Sequence, residues 1–526
     1  MEEILSSLLG AAFKDSSFSI RQSRKEETTI QVEPGTHRTA LKALLEKDDT
    51  TTISAITGID MAKDIEIRYH FRFLGTIITI ITSVPKSKAE INSITDILPG
   101  ANFHEREVSD FFGVVFLNHP NPKRLILPDN WPENLFPLRK DANLEDVMNQ
   151  ISPITNPSIT DNPSTKSQII TLTMGPQHPA LLEPERFVLD VDGERIRKVE
   201  PRIGYCHRAV EKATESRRYP QNVYLVERIC GICNSCHSSC FCQAVEAILG
   251  VEIPPKAKYL RTLVLELNRI QSHLLVLGHA CLEIGYQSVF QYMWRDREPM
   301  MDLMEIITGN RVHASIMAIG GVRADLNTQK IPLIKSELDK LGKRVDFYKH
   351  LFETDITFKG RTKNIGLLSK KDALELCVVG PVARGSGLKM DVRKNQPYFA
   401  YGEIPFNMIT YPSGDSWSRL MVRLDEISES IQIIDYIVDH LPSGPYRIKV
   451  PRVVPANDSI SRVEAPRGEL FYYVKGNGTR SPERVKVRTP TYANILSFVS
   501  IAQGVNVADI PASFVSLDPC FSCTDR

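Results

Sequence analysis

The stretch that decides the fold is Glu227-Arg228-Ile229-Cys230-Gly231-Ile232-Cys233-Asn234-Ser235-Cys236-His237, which holds a Cys-x-x-Cys pair near mid-chain. A second pair lies far downstream in Asp518-Pro519-Cys520-Phe521-Ser522-Cys523-Thr524-Asp525-Arg526. The Cys-x-x-Cys spacing lets two thiolates face one metal from a single turn. Four soft sulfur ligands favour a thiophilic transition metal over magnesium or calcium. The two pairs predict one metal site built from Cys230, Cys233, Cys520 and Cys523.

Spacing alone leaves three interpretations of these four cysteines open. The first is a closed structural zinc site, although the pairs in most zinc ribbons lie much closer together in sequence. The second is a redox-active Cys-x-x-Cys, but that chemistry needs one pair and not two. The third is a set of unrelated buried cysteines, which the polar and charged residues beside both pairs make less attractive.

The residues around the pairs separate these interpretations. The pattern Arg-x-Cys-Gly-x-Cys-x-x-x-His begins at Arg228, and Asp-Pro-Cys-x-x-Cys-x-x-Arg begins at Asp518. Both resemble the large subunit of [NiFe] hydrogenases, in the same order along the chain. Arg526 stands where other hydrogenases usually carry His, which is similar to the membrane-bound, energy-converting group. In this family a C-terminal extension is cut off at this point after nickel insertion, so Arg526 is similar to a matured end, and a chain truncated at Arg526 would look the same.

The resemblance implies a role for each cysteine. Cys230 and Cys520 would be terminal nickel ligands, and Cys233 and Cys523 would bridge nickel to iron. Two cyanides and one carbon monoxide would complete the iron, giving a Ni–Fe centre. Four thiolates carry a formal charge of about minus four, and an interior accepts that charge only when metal cations compensate it.

Residues around the metals follow from the same resemblance. Glu464-Ala465-Pro466-Arg467-Gly468 resembles the hydrogenase Glu-x-Pro-Arg-Gly motif, whose Arg hangs over the open side of the metal pair. Without this resemblance Arg467 would be taken for a surface charge. Asp518 would anchor Arg467, and His237 would donate a hydrogen bond to a bridging sulfur.

Proton transfer is the last role that the resemblance implies. Glu183 matches, across a one-residue gap, a glutamate that hydrogenases place near the nickel, and it would relay the proton exchanged at Cys520 or Arg467. The alternative for Glu183 is a solvated carboxylate at a strand edge. Gly175-Pro176-Gln177-His178-Pro179 is shared by energy-converting hydrogenases and the quinone-site subunit of complex I, and here it predicts a loop beside the site.

Bulk composition restricts the function. The chain has 526 residues, which predicts two or more domains. A formal net charge of +1 argues against a nucleic-acid partner. No apolar run reaches the roughly 20 residues needed to span a bilayer, and the N-terminus carries acids where a signal peptide needs bases. We therefore expect a peripheral position on the cytoplasmic side of a membrane, reached through partner subunits.

The N-terminal third predicts a small α+β domain. Residues 65–73 alternate apolar and polar side chains, as a half-buried strand does, and Leu74-Gly75 turns the chain into a second strand at 76–81. Glu105-Arg106-Glu107 with Asp110, and Pro137-Leu138-Arg139-Lys140-Asp141, resemble the small hydrophilic subunit of respiratory complex I over roughly residues 30–145. In that family the module carries no cofactor, and its charged motifs are similar to docking and assembly surfaces.

The predicted organisation has two parts of an α+β chain. A complex-I-like module, a small α/β sandwich, occupies 1–145. A Pro-, Ser- and Asn-rich linker occupies 146–167. A mainly helical large domain of the hydrogenase large-subunit type, a long-helix bundle with small sheets, occupies 168–526. Apolar periodicity predicts long helices at 258–284, 286–307, 331–352 and 416–441.

Other segments of the large domain carry weaker signals. Pro299 is expected to kink or split the second long helix. Strands are predicted at 446–450, 468–474 and 484–488. The Gly-rich stretch 380–387 lacks the Walker pattern, so it predicts a structural loop and no nucleotide site. If residues 225–249 form a helix, Cys233, Cys236 and Cys240 share one of its faces. We predict that the additional cysteines Cys236, Cys240 and Cys242 are small buried packing residues and not ligands.

Function follows as an expectation. The remaining cysteines form no Fe–S pattern, so the resemblance implies a small partner subunit that holds [4Fe-4S] clusters. It also implies ferredoxin-like electron-transfer subunits, complex-I-like membrane-arm subunits and, for the formate hydrogenlyase type that the fusion most resembles, a formate dehydrogenase. The expected reaction is reversible reduction of protons to H2. The rival is a complex-I-type quinone-site or scaffold subunit, a class that lacks all four cysteines.

Overall fold

A computed structural model describes residues 2–13, 18–24, 27–143, 145, 150–151 and 169–526 of the chain. Helices and small sheets alternate along these residues, so the fold belongs to the α+β class. Most of the predicted linker at 146–167 lies outside the described residues, and the division of the chain into 1–145 and 168–526 stays a prediction.

The N-terminal region is built on one five-stranded sheet. Its elements are α1 (Glu2–Ala12), β1 (Phe18–Arg24), β2 (Glu27–Val32), α2 (His37–Lys47), β3 (Thr52–Met61), β4 (Asp64–Phe73) and β5 (Thr76–Pro85). The strand order is β1-β2-β5-β4-β3, and only β2 and β5 run parallel within it. The predicted hairpin around Leu74-Gly75 is confirmed as β4 and β5.

Both faces of this sheet are covered, although the sequence predicted one. Alternate residues of β4, among them Tyr69 and Phe71, join the apolar core with α1 and α2. The opposite face carries His70, which is fully buried with its ring centroid 5.0 Å from that of Phe471. A sheet from the C-terminal half therefore covers the face that alternation alone assigns to solvent.

A short charged helix follows this sheet. After β6 (Glu90–Asn92) the chain enters α3 (Asn102–Phe112), which ends at Gly113 in the left-handed conformation, and β7 (Val115–Leu117) pairs parallel with β6. The charged residues of α3 were predicted to form a docking surface, yet they are buried inside this chain: His104, Glu105, Arg106, Glu107 and Asp110.

The chain then builds a small sheet and three helices around the first cysteine pair. The sheet has the order β10-β9-β8 and is antiparallel. Its strands are β8 (Ile169–Met174), β9 (Arg186–Asp192) and β10 (Arg195–Arg202), and the helices that follow are α4 (Val210–Glu215), α5 (Tyr219–Glu227) and α6 (Asn234–Leu249). The conditional helix at 225–249 is wrong as one element, because residues 228–233 interrupt it.

Four long helices dominate the rest of the large region, and all four predicted ones are confirmed. In chain order the elements are α7 (Pro255–Ile284), α8 (Gln287–Thr308), β11 (Met317–Ala318), β12 (Gly321–Val322), α9 (Ile331–Thr354), α10 (Ile356–Thr362), α11 (Lys370–Glu375), α12 (Gly380–Gly385), α13 (Val392–Asn395) and α14 (Ser416–Asp439). Helix α7 packs against α8 and α14, and α9 packs against α14. Pro299 lies inside an unbroken α8, so the expected split is wrong.

The C-terminal segment forms an antiparallel sheet and four short helices. They are β13 (Asp458–Ala465), β14 (Gly468–Gly476), β15 (Pro482–Arg488), α15 (Pro490–Asn494), α16 (Ser497–Ala502), α17 (Ile510–Val515) and α18 (Phe521–Asp525). The strands predicted at 468–474 and 484–488 are confirmed. The strand at 446–450 is wrong: Arg447 makes an isolated bridge to Gly321, because no continuous partner strand runs beside it.

The apolar core forms two large clusters. One contains residues of the helices α5 through α9, of helix α14 and of the β13–β15 sheet. The other joins the N-terminal sheet to the small sheet β8–β10 and to α15–α18. The second cluster takes residues from both sides of the predicted linker. None of the helices in the described part of the chain is long and apolar enough to cross a membrane.

Asp110 in α3 offers a direct test of this region. Its Oδ2 accepts hydrogen bonds from the backbone N–H groups of Leu125, Ile126 and Leu127, at 2.9, 2.8 and 3.2 Å. Asp110→Ala would leave these buried donors unsatisfied, and we expect the free energy of unfolding to fall by about 3 kcal/mol or more. Denaturant unfolding measures this loss. Asp110→Asn keeps an acceptor oxygen and should lose less, and equal losses would contradict the assignment.

Candidate metal centre

The four predicted cysteines meet in one buried place. Cys230 Sγ lies 3.4 Å from Cys520 Sγ, and Cys233 Sγ lies 3.3 Å from Cys523 Sγ. All four residues are buried, with at most 3% of any of them exposed. Two overlapping groups in the described part of the chain have ligand atoms within 4.8 Å of one another: Cys230, Cys520 and Cys523, and Cys233, His237 and Cys523.

The first pair lies on the loop between α5 and α6. Cys233 is the residue that precedes α6, so the pair spans the turn into a helix and does not lie on its face. The backbone N–H groups of Ile232 and Cys233 point at Cys230 Sγ, at 3.2 and 3.4 Å. Such donors stabilise a thiolate. The side-chain amide of Asn268 in α7 holds this loop by donating to the Ile232 carbonyl at 2.7 Å.

The second pair enters the site from a turn before α18. Asp518 adopts a left-handed backbone conformation with φ of 57°, which Asp tolerates better than most residues. Cys520 N–H donates to the Thr491 hydroxyl at 3.1 Å, and the Thr489 hydroxyl donates to the Cys523 carbonyl at 3.0 Å. Residues around α15 therefore fix both ends of the pair.

Arg208 joins the two cysteine segments, a role that sequence reasoning missed. Its guanidinium donates to the carbonyls of Arg228 at 2.8 Å and Ile229 at 2.7 Å. The same group donates to the Ser522 carbonyl at 3.1 Å. The sequence around Arg208 does not show that its guanidinium reaches both cysteine segments, and only the motif around Arg228 marks the first segment.

Arg467 and Asp518 form a buried ion pair beside the sulfurs. Arg467 lies in the two-residue turn between β13 and β14 and is 2% exposed, so the surface-charge alternative is wrong. Its Nη2 lies 2.9 Å from Asp518 Oδ1, and its Nε donates to the Asp518 carbonyl at 2.8 Å. Burial opposes the charge, but Asp518 and then the Cys520 and Cys230 sulfurs raise the pKa of Arg467 above its usual value.

Two glycines allow this turn to pack tightly. A side chain at Gly380 would place its Cβ 2.3 Å from Gly468 Cα, and one at Gly468 would lie 2.7 Å from Gly380 N. Both residues have positive φ, of 68° and 130°. The Gly-rich stretch at 380–387 therefore packs closely against the Arg467 turn and has a structural role. The loop predicted there is wrong, because residues 380–385 form helix α12.

His237 links the sulfurs to the C-terminal sheet. Its Nε2 lies 3.5 Å from Cys523 Sγ, and its Nδ1 is 2.7 Å from the Tyr472 hydroxyl. Burial lowers the pKa of His237 to about 4, so the ring is neutral at physiological pH. A neutral ring that accepts from Tyr472 at Nδ1 carries its proton on Nε2, facing the sulfur. Tyr472 was not predicted as a site residue.

Glu183 lies beside the sulfurs and is half-buried. Its Oε1 lies 3.8 Å from Cys520 Sγ and accepts the Ser522 hydroxyl at 2.6 Å. Its Oε2 accepts the Ser522 N–H at 2.8 Å. Glu183 also lines an open cleft of about 470 Å³, together with His178 and most other residues of the 176–184 loop. The carboxylate thus connects the buried thiol of Cys520 with a solvent-accessible opening.

The electrostatics of the site call for a cation. Hydrogen bonds from the thiols of Cys233, Cys520 and Cys523 lower the pKa of Cys230, so thiolate charge forms here first. Arg467 supplies one positive charge, and its buried Nη1 has no hydrogen-bond partner among the described residues. Hydrogen bonding to Cys230 raises the pKa of Cys233 and Cys520, and burial raises the pKa of Cys523, so further thiolates form when a cation takes the place of their protons. Four converging soft ligands fit a thiophilic metal pair.

The additional cysteines behave differently. Cys240 Sγ lies 3.3 Å from the Ser461 carbonyl, and burial raises the pKa of Cys236 to about 12. Burial also raises the pKa of Cys240 and Cys242. None of these three cysteines belongs to either group of converging ligand atoms in the described part of the chain. These residues are packing groups in the core, as predicted.

An acidic pair behind Glu183 also escaped the sequence analysis. Glu185 is fully buried, and no hydrogen-bond partner for its Oε2 exists in the described chain. Burial, and then the charge of Asp525, raises the pKa of Glu185 to about 10. Asp525 Oδ2 accepts the Cys206 N–H at 2.8 Å. Because Glu185 directly precedes a strand whose residues alternate between half-buried and buried, no local pattern predicts its full burial.

Known protein families match this chain in three places. The family described as "Respiratory-chain NADH dehydrogenase, 49 Kd subunit" matches residues 283–457 and 452–526. The family "Respiratory-chain NADH dehydrogenase, 30 Kd subunit" matches residues 30–147. The family "Nickel-dependent hydrogenase" matches residues 208–281, which include the first cysteine pair.

Curated relatives include complex I subunits and hydrogenases. The C/D subunit of NADH-quinone oxidoreductase from Bacteroides fragilis is 33% identical over 94% of this chain and 99% of its own length. Carbon monoxide-induced hydrogenase of Rhodospirillum rubrum is 40% identical over 68% of this chain and 99% of its own. Formate hydrogenlyase subunit 5 of Escherichia coli is 35% identical over 85% and 79%.

The chain belongs to the family of complex I 49-kDa subunits and related [NiFe] hydrogenase large subunits, in the form fused to a 30-kDa module. A solved member of similar fold belongs to the membrane-bound sulfane sulfur reductase, an archaeal respiratory membrane complex. It is 32% identical with a TM-score of 0.66, covering 68% of this chain and 98% of its own. Members of this family thus include a subunit of an NADH-quinone oxidoreductase, a subunit of formate hydrogenlyase and a chain of a membrane-bound sulfane sulfur reductase.

Glu185 generates a pH-dependent prediction. Its pKa rises from 4.5 to about 10 on folding, so between these values the folded chain holds a proton that the unfolded chain has lost. This contribution is complete below pH 4.5, and it weakens by about 1.4 kcal/mol per pH unit as the pH rises toward the folded value. Glu185→Gln should therefore flatten the fall in thermal unfolding midpoint between mildly acidic and alkaline buffers. An unchanged slope would show that Glu185 is already ionised.

Proposed function

We propose that this chain is the catalytic subunit of a membrane-associated, energy-converting [NiFe] hydrogenase that interconverts H2 with protons and electrons. H2 evolution in a formate hydrogenlyase-like complex is the direction we favour. One observation carries the proposal: Cys230, Cys233, Cys520 and Cys523 come from distant segments, yet their sulfurs share one buried pocket. Four buried thiols that converge in this way are the donor set of a thiophilic metal site.

The four sulfurs would hold a Ni–Fe pair whose iron carries two cyanides and one carbon monoxide. Cys230 and Cys520, which are paired in the structure, would be the terminal nickel ligands. Cys233 and Cys523, the other close pair, would bridge the metals. When bound, such a centre supplies an open coordination position and the electron chemistry for making or splitting H2.

The chain's own side chains would handle charge and protons. Arg467, held by Asp518, places a fixed positive charge beside the sulfurs, where it favours negative charge that develops at the site. The proton would move between Cys520 Sγ and Glu183 Oε1, which lie 3.8 Å apart. Glu183 faces the open cleft, so the proton would leave by that side. The Nε2–H of His237 would hold the Cys523 sulfur in place.

Electrons would pass between the site and partner subunits, inward during H2 evolution and outward during H2 oxidation. The remaining cysteines of this chain are separate buried or half-buried thiols and form no further group of metal ligands in its described part. An iron–sulfur small subunit with [4Fe-4S] clusters would exchange electrons with the site. This small subunit would be linked to ferredoxin-like subunits, complex-I-like membrane-arm subunits and a formate dehydrogenase. The same proposal includes the long-helix bundle of the hydrogenase large-subunit type, an N-terminal sandwich module, and a peripheral position on the cytoplasmic side of the membrane.

A complex-I-type quinone-site or scaffold subunit is the second candidate. It is favoured by the fused C/D relative, which is similar over 94% of this chain. The open cleft at 176–184, with His178 in its wall, would be its quinone opening. By the resemblance, complex I subunits lack the four cysteines, and this difference argues for the hydrogenase.

Metal analysis of the purified complex separates the two candidates. The hydrogenase predicts about one nickel and at least one non-cluster iron per chain, because four thiolates of one pocket hold both metals. Elemental analysis by mass spectrometry measures this content. Zinc alone would support the structural-site interpretation, and no bound metal would support the quinone-type subunit.

Cysteine variants test the ligand assignment. Cys520→Ser replaces a soft ligand at the centre, so nickel content and H2 evolution should both fall to near background, a loss of about a thousandfold or more in rate. The matched control is Cys240→Ser, a buried thiol of the same helical core that is not a ligand; it should keep nickel and much of the rate. Equal losses in the two variants would discredit the assignment.

A further inference from the structure

Five charged side chains meet in the interior beside the second cysteine pair. They come from four separate parts of the chain: Glu107 in α3, Glu211 in α4, Arg484 and Lys486 in β15, and Arg526 after α18. No more than 5% of any of them is exposed. We call this group the Glu107 cluster.

Arg526 binds both carboxylates of the cluster. Its Nη2 donates to Glu107 Oε1, and its Nε lies 3.0 Å from Glu211 Oε1. Its Nη1 donates to the Thr524 carbonyl at 2.8 Å, and its guanidinium carbon lies 4.9 Å from the centre of the Tyr492 ring. The fork of the guanidinium is thereby used on three sides, which fixes its position.

The other cations complete the cluster. Lys486 Nζ lies 2.5 Å from Glu107 Oε1, and Arg484 Nη1 lies 2.7 Å from Glu211 Oε2. Burial lowers the pKa of Lys486 to about 8, although Glu107 and Glu211 oppose this shift. Three buried cations thus share two carboxylates, and the loss of Glu107 leaves all three on Glu211 alone.

The position of Arg526 gives the cluster a consequence for the metal site. Arg526 follows α18 directly, and the same short helix carries Cys523 and begins after Cys520. Glu107 belongs to the N-terminal region, and its partner Arg526 ends the segment that brings these two thiols to Cys230 and Cys233. A five-residue helix has little stability of its own, so tertiary contacts decide where it lies.

We propose that Glu107 is a positioning residue for the cysteine centre. Through Arg526 it holds α18 so that the thiols of Cys520 and Cys523 face those of Cys230 and Cys233. The N-terminal region is then a clamp on the segment that supplies half of the ligands. This inference rests on the proposed function only where it treats the four cysteines as metal ligands. The positioning of the thiols does not depend on which metal they bind.

Thiol labelling of the full chain, purified without nickel, tests this proposal. N-ethylmaleimide reacts with a buried cysteine only when the structure opens locally, so its rate reports the population of the open form. Glu107→Gln should raise the labelling rates of Cys520 and Cys523 by about tenfold or more, as read by peptide mass spectrometry. The rates at Cys240 and Cys281, which are buried elsewhere, should stay unchanged.

Glu105→Gln is the matched control. Glu105 lies on the same helix and is fully buried, but it binds the Ser93 hydroxyl at 2.6 Å and the Ile94 N–H at 2.8 Å, both inside the N-terminal region. It should leave the labelling of Cys520 and Cys523 at the wild-type rate. Equal effects of the two substitutions, or a general rise at every cysteine, would overturn the proposal.

A second variant covers the case in which Glu107→Gln does not fold. Arg526→Lys keeps the charge and leaves Glu107 paired with Lys486, but it loses the fork, so it too should expose Cys520 and Cys523 selectively; unchanged labelling would contradict the proposal. Combining it with Glu107→Gln should add little to either alone, because both remove the same contact. The nickel content of the wild-type complex is measured separately. If the wild type holds no nickel and the variants still show selective labelling of Cys520 and Cys523, the hydrogenase proposal is rejected and the clamp proposal stands.

Discussion

The convergence of four sulfurs from two distant segments is the constraint on which the rest of the structure depends. The sulfurs lie within 3.4 Å of one another in pairs, inside an interior that shields no charge. Each neighbouring group either offsets thiolate charge or fixes the positions of the four sulfurs. Arg467 supplies a cation, Asp518 aims it, and Arg208 ties the two segments to each other. Metal ligands need such support, because small errors in their positions weaken binding.

The N-terminal region is part of this support and not an appendage. Its sheet lies between its own helices and the β13–β15 sheet. Glu107 in its helix α3 forms an ion pair with Arg526. The charged residues of α3, for which the sequence predicts an exposed docking surface, are buried and make contacts inside the molecule instead. A covalently fused module keeps these buried ion pairs together during folding, since neither partner can diffuse away.

Relatives with different reactions share this scaffold. A subunit of a quinone oxidoreductase, two hydrogenases and a member of a sulfane sulfur reductase complex are all similar to this chain at 32% to 40% identity. In this chain the fold brings the 176–184 loop, the Arg467 turn and the C-terminal helix to one place. A few side chains at that place, above all Cys230 and Cys520, then decide which chemistry is possible.

The sequence by itself determined the long helices, the hairpin of β4 and β5, and the two cysteine motifs, because periodicity and ligand spacing are local properties. It did not determine that Arg467 and Glu107 are buried, that His70 faces a second sheet, or that residues 446–450 lack a strand partner. Those outcomes depend on contacts between residues hundreds of positions apart, which only the folded chain decides. Arg208 illustrates the limit: its one guanidinium holds both cysteine segments, and neither segment's sequence reveals it.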